Sequence, residues 1–99
     1  MYKAIFKKTI VDGDEITAKQ QIVLSHEEII PFVPVQGMHI LWDKSQRPEI
    51  IKTTLWDVIE NQFACFMETE YSSKGTDFNG QEINDYDALI KRSKETGWS

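Results

Sequence analysis

The chain has one cysteine, two histidines, and no apolar run long enough to cross a bilayer. Each scarcity removes a class of function. A lone Cys65 cannot form an intramolecular disulfide, and a reducing compartment suits it. Its neighbours Ala64 and Phe66 mark it as a small buried hydrophobe rather than an activated thiol. His26 and His39 lie thirteen residues apart, with no second His or Cys at ligand spacing. Zinc needs three or four converging ligands, so no metal site is expected. The five glycines are scattered, and none forms the run that cradles a phosphate before a helix. No cofactor is expected. The stretch Met1–Lys8 lacks the apolar segment of a signal peptide, so the expected location is cytoplasmic, with no membrane partner.

Positive charge is also short. There are 11 basic against 16 acidic side chains, a net charge of −5, and from Asp57 to Asp87 eight carboxylates face one base, Lys74. Affinity for nucleic acid comes mainly from Lys and Arg neutralising phosphate, so nucleic acid is the weaker expectation for a partner. A solvated acidic face is the bland reading, and attraction of a basic protein is the sharper one.

What the chain does have is β-branched and aromatic mass in short runs. Ninety-nine residues suit one domain, covering 1–99. The richest stretch is 50–71, read as two strands at 50–59 and 63–71 with Glu60-Asn61-Gln62 between them. The remainder should pack on that hairpin. Tyr2, Ala4, Phe6 and Ile10 share one side of a strand at 2–11, interrupted by Lys8. Asp12-Gly13 then suits a tight turn into a strand at 16–24. Ser25-His26-Glu27-Glu28 resembles a capping box, which Pro31 would stop after one turn. A short strand is expected at 38–42 and a loop over 72–81. A helix is expected over about 84–96, with Asp85 and Asp87 in its first turn, basic residues late, and Gly97 as its C-terminal cap. That helix is the natural cover for Ala64 and Phe66.

The sum is an α+β, mainly β fold: a five-stranded antiparallel meander or a partly closed SH3- or OB-like barrel with a C-terminal helix. No catalytic set stands out. The first functional expectation is a small acidic, non-enzymatic protein-binding module of the inhibitor, immunity or accessory type. Its candidate binding residues are the Asp-flanked tryptophans, Trp42 with Asp43 and Trp56 with Asp57, together with Glu68 and Glu70, which share an acidic strand face. The first alternative is a nucleic-acid-binding barrel with Lys3, Lys7, Lys8 and Lys19 as its basic face and Phe6, Trp42 and Tyr71 as its aromatics. The second is a small enzyme in which His39 and a carboxylate such as Asp57 converge. Exposed strand edges leave room for a homodimer.

Overall fold

The structure, a computed structural model, describes residues 1–13, 19–72, 74–76, 79–80 and 82–99. The protein is mainly β: a curled mixed sheet forms a half-barrel, with a helix at the C-terminal end. The elements are β1 (Tyr2–Asp12), β2 (Gln20–Ile30), β3 (His39–Ile40), β4 (Glu49–Asp57), β5 (Gln62–Met67), β6 (Glu70–Tyr71), β7 (Lys74–Thr76), β8 (Glu82–Asn84) and α1 (Tyr86–Glu95).

Two antiparallel hairpins, β1–β2 and β4–β5, make most of the sheet, whose order is β2-β1-β5-β4-β3. The hairpins join through β1 and β5, which run parallel with Ala4 opposite Phe63 and Phe6 opposite Cys65. A pure meander would have no such seam. β6 continues it, parallel to β1 at Ile10 and Val11. β7 and β8 form a separate two-stranded ribbon.

Alternation decides which face is core. Ala4, Phe6 and Ile10 of β1, Leu24 of β2, Ile51 of β4 and Cys65 and Met67 of β5 gather on the inner face with Tyr86 and Trp98. Leu89 and Ile90 of α1 pack against the same cluster, so the helix lies on the inner face. It does not cover Ala64 and Phe66, which point outward: Ala64 sits opposite Leu55 and Ile5, and Phe66 is 39% exposed. Ala64 is buried because it is small and lies between longer cross-strand neighbours.

Several boundaries move for local reasons. β2 runs through Ser25–Ile30, where a capped turn is expected, because each of these residues pairs with β1 from Lys7 back to Tyr2. A full antiparallel ladder outweighs one local capping signal, and the strand ends just before Pro31, which has no N–H to give. Asp12 pairs with Gln20, so β1 runs one residue past the end expected at Val11. The expected strand at 16–18 lies outside the described residues. The strand expected over 38–42 shortens to His39–Ile40. The strand expected over 63–71 divides: the ladder with β4 ends at Met67, and Glu70–Tyr71 keeps the chain beside β1 alone. Within the expected 72–81 loop, Lys74–Thr76 is a strand, and Asn84 closes β8 instead of opening the helix.

The end of α1 is as read. Gly97 has φ +100°, its N–H donates to the Lys94 carbonyl, and the Trp98 N–H reaches back to the Ser93 carbonyl. This paired return satisfies the last carbonyls and drops Trp98 into the core at 2% exposure.

Candidate functional site

The β4–β5 hairpin ends in a turn whose side chains face water. Asp57 is the last residue of β4 and pairs with Gln62. Its Oδ1 accepts the N–H groups of Ile59 at 3.0 Å and Glu60 at 3.1 Å, which closes the ladder. Asn61 then takes φ 54°, the left-handed conformation that asparagine tolerates. Val58 and Ile59, expected within the strand, therefore sit on the turn at 79% and 91% exposure.

Both faces of the hairpin carry apolar groups toward this tip. On the inner side Phe63 packs edge-on against Trp56, with centroids 4.9 Å apart, and against Tyr2 at 5.6 Å. This aromatic strip crosses β4, β5 and β1 and is where the core runs out into solvent: Trp56 is 46% and Tyr2 40% exposed. On the outer side Leu55 is 46% exposed. A cluster of this kind at a fixed turn is a place where a partner removes apolar area from water. Asp57 and Glu60 border it with acid.

Among the candidate residues, the structure keeps Trp56 and Asp57 together at this tip and sends the others elsewhere. Trp42 is half-buried at the rim of the core, stacked on His26 at 4.6 Å and edge-on to Phe6 and Trp98 at 5.0 and 5.3 Å. Asp43 is exposed and fastens its own turn, accepting from the Ser45 N–H at 2.8 Å and hydroxyl at 2.7 Å. Those two bonds, the backbone one foremost, hold its carboxyl below the ordinary range. Glu68 is exposed, whereas Glu70 turns inward toward Lys8. The two do not share an acidic strand face, because Glu68 lies in the gap between β5 and β6.

The basic face of the first hairpin is likewise incomplete. Lys3 and Lys19 are exposed and Lys7 is half-buried on the outer side, but Lys8 points into the core at 4% exposure. Phe6, one of the aromatics expected on that surface, is 1% exposed. His39 pairs with Ile50, seven residues along β4 from Asp57, a separation of roughly 23 Å at strand rise. These two groups do not converge. Cys65 is fully buried, its Sγ 3.6 Å from Thr54 Oγ1, and burial raises its thiol above the ordinary value. That shift favours the thiol over the thiolate that a nucleophile needs.

A second feature lies at the opposite end of β4, around Glu49. Lys8, Glu49 and Glu70 line a cleft of about 590 Å³ with Arg47, Arg92 and Glu95. Lys8 Nζ is 2.5 Å from Glu49 Oε1 and 3.8 Å from Glu70 Oε1. A lysine on the inward side of β1 has to bring an acid with it. The interruption of the apolar series Phe6–Ile10 by Lys8 was the sequence signal for such a partner, but Glu49, 41 positions away, could not be singled out as that acid.

The comparisons place no known protein beside this geometry. No family model, no curated protein and no solved structure matches the chain. Among the described residues no group of three or more His, Cys, Asp or Glu could hold a metal ion, and no helix is long and apolar enough to cross a membrane.

Proposed function

We propose that this chain is a non-enzymatic docking protein that inserts the tip of its β4–β5 hairpin into an apolar pocket on another protein. The observation that carries this reading is the exposure of Val58 and Ile59, 79% and 91%, on a turn fastened by the Asp57 carboxylate. A pre-set turn loses little conformational freedom on binding, so more of the contact energy appears as affinity. Trp56 and Leu55 extend the contact down both sides of the hairpin, with Trp56 the natural anchor. Asp57 and Glu60 at the rim call for a pocket edged by Lys or Arg, which would speed encounter and weaken with salt. The same acids disfavour an anionic membrane surface as the occupant. In this reading the protein works in the cytoplasm, where a single thiol stays reduced.

The test is a photo-crosslinking residue placed at Ile59, with the same residue at exposed Ile29 on β2 as control. Crosslinks from position 59 to one protein, at a site flanked by basic residues, support the proposal. They should disappear in the Trp56→Ala variant and weaken as salt rises. Crosslinks only between copies of this chain, binding to phosphatidylserine vesicles alone, or equal crosslinking from positions 59 and 29 would overturn it.

A further inference from the structure

We propose that Lys8, Glu49 and Glu70 act as a proton-operated latch: one proton held between the two carboxylates keeps β6 on β1, and its loss releases β6.

The geometry gives one cation to two acids. Lys8 Nζ is committed to Glu49 at 2.5 Å and stands 3.8 Å from Glu70. Glu49 Oε2 is buried and has no hydrogen-bond partner among the described residues. A buried acceptor without a donor is costly. Both carboxylates face the one Lys8 ammonium, and a protonated Glu70 carboxyl has the O–H donor that a second carboxylate lacks. Burial first, then a hydrogen bond to Glu49, push Glu70 up to about 7, against the pull of Lys8 and Arg92. The charged groups facing the cluster are Lys8 of β1, Glu49 of β4, Arg47 just before it, and Arg92 and Glu95 of α1. Arg92 tempers the repulsion once Glu70 ionises.

β6 is the part that can yield. Glu49 opens a strand of nine residues, whereas Glu70 belongs to a strand of two. β6 meets β1 at Ile10 and Val11, and the next residue, Ser72, donates its N–H to the Val11 carbonyl at 3.0 Å. When both carboxylates are charged, their repulsion falls on the shorter attachment.

The sign follows from the shift. Glu70 holds its proton in the folded protein up to about 7 but only to about 4.5 in an unfolded chain. The stabilisation is complete below the lower value and is lost as pH rises to the upper one. Across that window the opening equilibrium rises by up to about tenfold per pH unit.

The test reads the wild-type protein directly. Carbon-13 labelling of the glutamate carboxyls, followed by NMR titration, should show one carboxyl with a midpoint near neutrality and a matching response in Lys8. Hydrogen exchange at the Ser72 amide, corrected for intrinsic rate, should lose protection between pH 5.5 and 7.5, and Glu70→Gln should flatten that dependence. A Glu70 carboxyl titrating at its ordinary value would overturn the proposal, whether or not the variant folds. So would Ser72 protection that stays constant with pH in the wild type.

Discussion

Lys8 Nζ lies 4.6 Å from the centroid of the Trp98 ring. One residue comes from the first strand and the other from the segment after the helix, so this contact ties the two ends of the described chain together. The indole also meets Trp42 and His26 edge-on, at 5.3 and 5.5 Å. Trp98 is thus the piece around which the C-terminal segment is locked.

Truncating it should be severe. Trp98→Ala removes one of the largest fully buried side chains and uncovers the Lys8 ammonium, and a loss of about 3–5 kcal/mol is expected. Trp98→Phe keeps an aromatic face and discards an indole N–H that has no acceptor among the described residues. It should cost about 1–2 kcal/mol, less than the alanine change. Urea unfolding of both variants checks the ordering, and equal losses would show that the face of the ring contributes nothing.

Gly97 should tolerate no side chain. At φ +100° a Cβ is strained, and here it would lie 2.7 Å from His26 Nε2. That imidazole is held by stacking on Trp42 and by a 3.0 Å contact to the Thr96 carbonyl, so it has little room to retreat. Gly97→Ala is expected to cost about 2 kcal/mol or more. Part of this is steric and part is conformational, and a double-mutant cycle separates them. In a His26→Ala background Gly97→Ala should cost measurably less, because only the backbone strain remains. A cycle with no coupling would remove the steric half of the argument.

These two residues also mark what was readable beforehand. Gly97 as helix end and the inward series Ala4, Phe6 and Ile10 follow from periodicity and cap chemistry, which act within a few residues, whereas the partly closed barrel with its terminal helix follows from the count of short strands. The parallel seam between β1 and β5 does not, because it joins positions some sixty residues apart and leaves no local trace. The same holds for the helix docking on the inner face: its apolar stripe is legible, but the cover expected for Ala64 and Phe66 is made unnecessary by cross-strand neighbours and partial exposure. Ser25–Ile30 misled because a local capping pattern competes with a ladder formed by distant residues. At the candidate site the sequence marks out Trp56 and Asp57, whereas the β-branched pair Val58 and Ile59 reads as strand. The spacing of Asp57 and Asn61 was a turn signal there, partly masked by the β-branched pair between them.

The hairpin tip should separate stability from docking. Asp57→Ala removes the acceptor of two backbone N–H groups, at Ile59 and Glu60, on an otherwise exposed turn. A loss of about 1 kcal/mol is expected, because water replaces part of what the carboxylate supplied. Asp57→Asn retains a side-chain oxygen in the same place and should recover most of it. Val58→Ser and Ile59→Ser alter side chains that water already surrounds, so each should leave unfolding within about 0.5 kcal/mol of the parent. Hydrogen exchange provides the local check: the Ile59 and Glu60 amides should lose protection in Asp57→Ala, regain it in Asp57→Asn, and be unmoved by the serine changes. If the serine variants lowered stability by more than about 1 kcal/mol, Val58 and Ile59 would be serving the fold, because surface changes of this kind rarely reach that size. The tip would then have no spare apolar surface to offer a partner.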